Sequence, residues 1–173
     1  MFYNKKSGFS LAEVLAILAI LSIFASLLIP YFNEVFAKQE VNKVTTSISR
    51  LIKAAKNEAN LQNSTVVLCS STDGRQCTSN RWNNTLLIFS DLNKNRQVDV
   101  NELIYITEVL NLKYGNLTWK GALNSSSIVF EPITGLPIGY NGSFYYCNQN
   151  IPIQQKMILS KMGHMRIETA TNC

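Results

Sequence analysis

Gly8-Phe9-Ser10-Leu11-Ala12-Glu13-Val14-Leu15, leading into an unbroken apolar run, is the stretch on which the fold turns. Residues 14–33 are 20 consecutive uncharged residues, and as a helix they span about 30 Å, enough to cross a bilayer. Lys5 and Lys6 lie just before them, an arrangement that sets the N-terminus in the cytoplasm. A secretory signal would have a shorter apolar region closed by a small-x-small site. Here Leu27-Leu28-Ile29-Pro30-Tyr31-Phe32 is bulky and runs on. A plain membrane anchor explains the run but not Glu13, because a carboxylate at the start of a membrane helix is costly unless paired. Cleavage after Gly8 would create an amine at Phe9, which Glu13 of a neighbouring subunit can neutralise.

Downstream of Pro30 the solid apolar pattern becomes a stripe. Val41, Val44, Ile48, Leu51, Ile52, Ala55 and Ala59 recur at helical spacing, with Arg50, Lys53, Lys56, Asn57 and Asn60 largely opposite. One helix is therefore expected from about Ser10 to Leu61. Its first half suits lipid or a filament core, and its second half suits packing on a sheet. Pro30 removes one backbone bond and crowds the carbonyl of Ser26, a defect that a serine hydroxyl or a neighbouring helix can relieve in lipid. The basic side of the second half reads first as a solvated face.

Short β-type runs follow at 65–69, 86–89, 103–106, 127–130, 143–147 and 156–160, separated by Asp73-Gly74, Gly115-Asn116, Asn141-Gly142 and Met162-Gly163. The expected fold is α+β: a long N-terminal helix, first transmembrane and then amphipathic, laid across an antiparallel sheet. The segments read as 1–8 leader, 9–33 transmembrane or filament-core helix, 34–62 amphipathic helix and 63–173 β-rich head.

Cys69, Cys77, Cys147 and Cys173 all lie beyond the apolar run, and an even count there fits disulfides in an oxidising compartment. Of three pairings, Cys69–Cys77 with Cys147–Cys173 is favoured, since the first closes a short turn and the second pins the chain end. Zinc competes poorly: neither pair has C-x-x-C spacing and His164 is the sole histidine. The formal charge is +5. Without Lys5 and Lys6 the chain from Phe9 carries 14 Lys/Arg against 11 Asp/Glu, or +3, a mild excess that permits acidic partners without demanding them.

The string from Gly8 to Glu13 with its apolar helix resembles the class III signal of type IV pilins and pseudopilins. That resemblance implies a prepilin peptidase cutting after Gly8, methylation of the new N-terminal Phe9, and docking guided by Glu13. Pro30 matches a proline at which the family's helix can kink or melt during assembly. Ser10 and Ala12 replace the commoner Thr and Ile. The head resembles the GspH/FimT group over nearly the whole chain. The carrying residues are Ala54-Ala55-Lys56-Asn57-Glu58-Ala59, Val66-Val67-Leu68-Cys69-Ser70-Ser71, Asp73-Gly74, Cys77, Trp82, Ile88-Phe89-Ser90-Asp91, Phe144-Tyr145-Tyr146-Cys147, Ile158-Leu159-Ser160, Gly163-His164-Met165-Arg166 and Cys173. The resemblance implies a minor pilin or type II secretion pseudopilin that initiates or caps a filament. It would sit singly across the bacterial inner membrane with its head in the periplasm, and then enter a pilus or pseudopilus. Other pilins, the peptidase and the membrane are the implied partners.

Chemistry outside assembly is sparsely signalled. Asp91, Asn93, Asn95, Asp99 and Glu102 fall on a calcium-loop template, but Arg96 stands where the template needs glycine, and strands rather than helices flank it. An Asn/Asp-rich hairpin loop explains the same residues, and no metal is assigned. No triad, acid/base pair or phosphate cradle is evident around Gly135, Gly139 and Gly142, so neither an enzyme nor a cofactor is expected. DNA is the alternative partner. FimT-type minor pilins of transformable bacteria bind DNA through Gly-Arg-x-Arg, and Gly163-His164-Met165-Arg166 matches it except that His164, a weaker phosphate contact, replaces the first arginine. Lys161 and Lys156 would help if they share a face with Arg166. Otherwise Gly163 makes a hairpin, His164 beside it belongs to a strand, and Arg166 is a solvated strand residue.

Overall fold

A computed structural model describes residues 10–148, 152–170 and 173. The chain divides into two compact units, Met1–Phe36 and Ala37–Cys173, and α1, Leu11–Gln62, contributes to both. Among the described side chains of the first unit the large apolar ones are mostly exposed: Leu11 is 80% exposed, and Ile17, Leu21 and Phe24 are exposed too. Ser22 and Ser26 turn their hydroxyls onto the carbonyls of Ala19 and Ile23, so neither competes as a polar group on this surface.

The second unit carries all of the core found among the described residues. The predicted stripe on α1 is buried along its whole length, from Val41 at 5% exposure to Ala59 at none. Eight strands follow: β1 Val66–Ser71, β2 Thr85–Ser90, β3 Ile104–Val109, β4 Asn116–Gly121, β5 Ile128–Phe130, β6 Gly142–Cys147, β7 Gln154–Leu159 and β8 Met165–Thr169. Six of them overlap the runs read from the sequence. β4 and β8 do not, and Gly115-Asn116, expected as a turn, is instead where β4 begins. The single expected sheet is two antiparallel ones, ordered β3-β2-β1-β5 and β4-β6-β7-β8.

Strand alternation explains the layering. Val66 and Leu68, Leu86 and Ile88, and Ile128 and Phe130 join the helix stripe in the main core. Val67, Cys69, Leu87, Phe89 and Val129 point the other way into a smaller cluster, closed by Cys77, Val98, Ile104 and Tyr140. β1, β2 and β5 of the first sheet are thus buried on both faces, which is why β1 and β2 read as apolar runs. Trp82 meets Phe144 edge-on with centroids 5.0 Å apart, and Phe144 meets Trp119 at 4.5 Å. This aromatic group links the β1–β2 connection to the second sheet.

Disulfides join Cys69 to Cys77, with Cα atoms 5.7 Å apart, and Cys147 to Cys173, also at 5.7 Å. The first holds an arm of chain against the smaller cluster. Within that arm Asp73 accepts N–H bonds from Arg75 and Gln76 and a bond from the Ser71 hydroxyl. Those donors, the Arg75 amide foremost, hold its carboxyl below the usual range.

Candidate functional site

Ser10 caps α1. Its carbonyl and hydroxyl oxygens accept the Glu13 N–H at 3.1 and 3.3 Å, which fixes Glu13 in the first turn, where a carboxylate also suits the helix dipole. The Glu13 side chain is exposed among Leu11, Val14, Ile17 and Leu18, all exposed as well. Gly8 and Phe9 lie outside the described residues. Pro30 stands within the continuous helix. The helix is long and apolar enough to cross a membrane, with a mean hydropathy of 2.6 over its most apolar window.

At the head end of the same helix a second carboxylate has a role that the sequence does not signal. Glu40 accepts N–H bonds from three successive residues, Lys113 at 2.7 Å, Tyr114 at 3.1 Å and Gly115 at 2.9 Å. The Tyr146 hydroxyl donates to it at 2.7 Å. The β3–β4 connection is thereby clamped to α1. Burial, with the Glu40 carboxylate next, pushes the Tyr146 hydroxyl well above its ordinary range. Gly115 admits no side chain, because a Cβ there would sit 2.2 Å from the Tyr146 ring. Farther along, Glu108 on β3 accepts from Ser47 at 2.9 Å and Arg50 at 2.6 Å.

The residues of the calcium-loop template are brought into one loop between β2 and β3, and they bond to one another. Asp91, 1% exposed, takes the N–H groups of Asn95 and Arg96. Asp99 takes the amides of Asn93 and Asn95, and Glu102 takes the N–H groups of Leu92 and Asp99. Arg96 adopts the left-handed conformation, φ 62°, where glycine would be easier. Its guanidinium lies over Tyr140, 5.1 Å from the ring centre, and donates to the hydroxyl at 2.7 Å. Among the described residues no group of three or more His, Cys, Asp or Glu could hold a metal ion.

The basic candidates separate. Lys161 and Gly163, φ 72°, belong to the turn between β7 and β8. His164, expected in a strand, precedes β8 and exchanges backbone and side-chain bonds with Ser160. Arg166 lies on the outer face of the second sheet in one row with Ile158, Ser143 and Lys120. The next row holds Glu168, Lys156, Tyr145 and Thr118. Lys120 and Lys156 stand 4.8 and 5.7 Å from the Tyr145 ring centre, whereas Arg166 is paired with Glu168 at 2.8 Å. Lys156 thus shares this face with Arg166, and Lys161 does not belong to either row.

Residues 44–163 match the family described as type II transport protein GspH, and residues 3–29 match the prokaryotic N-terminal methylation motif. No curated protein sequence matches the chain. The fold is similar to that of the type IV minor pilin FimU of Pseudomonas aeruginosa strain PAO1 in two crystal forms. One gives a TM-score of 0.56 at 15% identity, covering 76% of this chain and 90% of that one. The other gives 0.50 at 15% identity, covering 73% and 91%. The helix with its Ser10–Glu13 start, the two antiparallel sheets laid against it and the family match over most of the chain agree: the protein belongs to the GspH family of type IV pilin-like proteins.

Proposed function

We propose that the protein is a minor pilin or pseudopilin that helps initiate or cap a filament. It would be made as a prepilin, cut after Gly8, methylated at Phe9 and held in the inner membrane with its head in the periplasm before it enters the fibre. The observation that carries this reading is the run of exposed apolar side chains from Leu11 to Phe24 around an exposed Glu13. Such a surface needs lipid or other helices about it, and the acid in its first turn needs a cation. The Phe9 amine of an adjoining subunit supplies that cation. Pro30 would let the helix deform as it leaves the bilayer. The role is assembly, with no turnover of a substrate. Mass spectrometry of sheared filaments or pseudopili should find this chain beginning at N-methylated Phe9. Its absence from every such preparation, with the chain present in the membrane, would refute the reading.

A second reading, a DNA receptor on the same scaffold, is favoured by the two lysines that flank Tyr145. Cations beside a half-buried aromatic ring suit a phosphate backbone. Arg166 contributes less than its sequence position implies, because Glu168 offsets its charge. Labelled duplex DNA should bind the oxidised protein at micromolar concentration, weaken as salt rises, and be lost with Lys120→Glu plus Lys156→Glu. If DNA fails to bind at low salt, this second reading is wrong.

A further inference from the structure

The second sheet ends on β8, whose residues are exposed except for half-buried Met165, so no described strand lies along its outer edge. The register gives the direction of its backbone. Ser160 donates to the carbonyl of His164 and Ala170 donates to that of Gln154, while Ile158 faces Arg166 and Lys156 faces Glu168. In an antiparallel ladder hydrogen-bonded pairs alternate with non-bonded ones. Arg166 and Glu168 therefore turn their N–H and C=O groups toward β7. Met165, Ile167 and Thr169 turn theirs outward, where they form a row that no described strand pairs, of the kind that templates another strand.

Side chains also favour an added strand. Ile167 is 51% exposed, and with Met165 it floors an open groove of about 450 Å³ whose other wall is α1 at Thr45, Ser49 and Lys53. On the opposite face of β8, Arg166 and Glu168 flank Ile167 symmetrically and carry opposite charges.

We infer that β8 is a self-recognition edge that pairs antiparallel with β8 of a second copy about a two-fold axis through Ile167. Only registers that set an outward-turned residue against another can form hydrogen bonds. Centred on Ile167, Met165 faces the partner's Thr169, and each Arg166 lies directly opposite a Glu168 of the other copy. Centred one residue earlier, Arg166 faces Arg166. Centred one residue later, Glu168 faces Glu168. Like charges directly across a strand pair are destabilising, so the charges select the first register. The two Ile167 side chains then cover each other, and the two four-stranded sheets become one continuous sheet. A strand pair this short belongs with weak interfaces, so association is expected at roughly 10–1000 µM.

Sedimentation of the protein in detergent, and of its 37–173 unit, which carries the described core and both disulfides, tests this directly. The wild type should dimerise with rising concentration. Arg166→Glu alone and Glu168→Arg alone should each weaken self-association by about tenfold or more. An equimolar mixture of those two variants should associate again, because each acid then faces a base on the other chain. A role for the Arg166–Glu168 pair within one chain cannot produce that rescue. Ile167→Cys should crosslink to itself on oxidation, while Met165→Cys should not, since its partner is Thr169; this arm decides the matter if a charge variant misfolds. A wild type that stays monomeric through about 1 mM, a dimer indifferent to both charge changes, or a mixture that does not associate would overturn the proposal.

Discussion

Glu40→Ala should lower the melting temperature of the oxidised protein by roughly 10 °C, the equivalent of about 3 kcal/mol for a head of this size. The substitution removes one side chain but strands four donors: the N–H groups of Lys113, Tyr114 and Gly115 and the Tyr146 hydroxyl. Bonds to a charged acceptor are each worth more than ordinary ones, and a half-buried donor left without a partner bears its own desolvation cost. Glu40→Gln should fall between, since its amide oxygen still accepts while its NH₂ confronts donors. Differential scanning calorimetry on all three proteins gives the ranking. A Glu40→Ala protein that melts within about 2 °C of the wild type would mean that water replaces the carboxylate without loss.

Glu13→Ala should leave cleavage after Gly8 intact while reducing incorporation into filaments on the order of tenfold or more. The helix gains hydrophobicity from this change, so membrane insertion should not suffer. What it loses is the only acid near the start of α1 and with it the charge that answers the neighbour's Phe9 amine. Immunoblots of sheared filament and membrane fractions separate the two effects, because the processed chain runs smaller than its precursor. Glu13→Gln should behave like Ala if charge governs docking. Wild-type levels of either variant in the filament would sink the proposed pairing.

The helix and its two characters were legible from residues 11–62 because period and composition speak there directly: solid apolar sequence first, then a stripe from Val41 to Ala59 that the head buries entirely. β1, β2 and β5 of the first sheet were legible for a similar reason, since burial on both faces gives each an apolar run. β4 and β8 were not. Asn116-Leu117-Thr118-Trp119-Lys120 does alternate, but Gly115-Asn116 carried a turn signal at its start. Met165-Arg166-Ile167-Glu168-Thr169 is an edge with little burial to mark it. Glu40 left no trace at all, because its partners are chiefly backbone N–H groups, which every residue but proline possesses. Arg96 shows the converse: the sequence marks the position as unsuited to a left-handed turn, and the chain adopts one anyway, with Tyr140 holding the guanidinium.

Every buried apolar side chain among the described residues belongs to Ala37 or later. Hydrocarbon tails and the flanks of neighbouring helices are similarly apolar surroundings for residues 11–36. Moving this segment from a bilayer into a bundle of like helices is therefore a partition between two solvents of nearly equal quality. On the function proposed above, the transfer would have little net driving force of its own, and the few polar contacts that differ between the two environments would decide its direction.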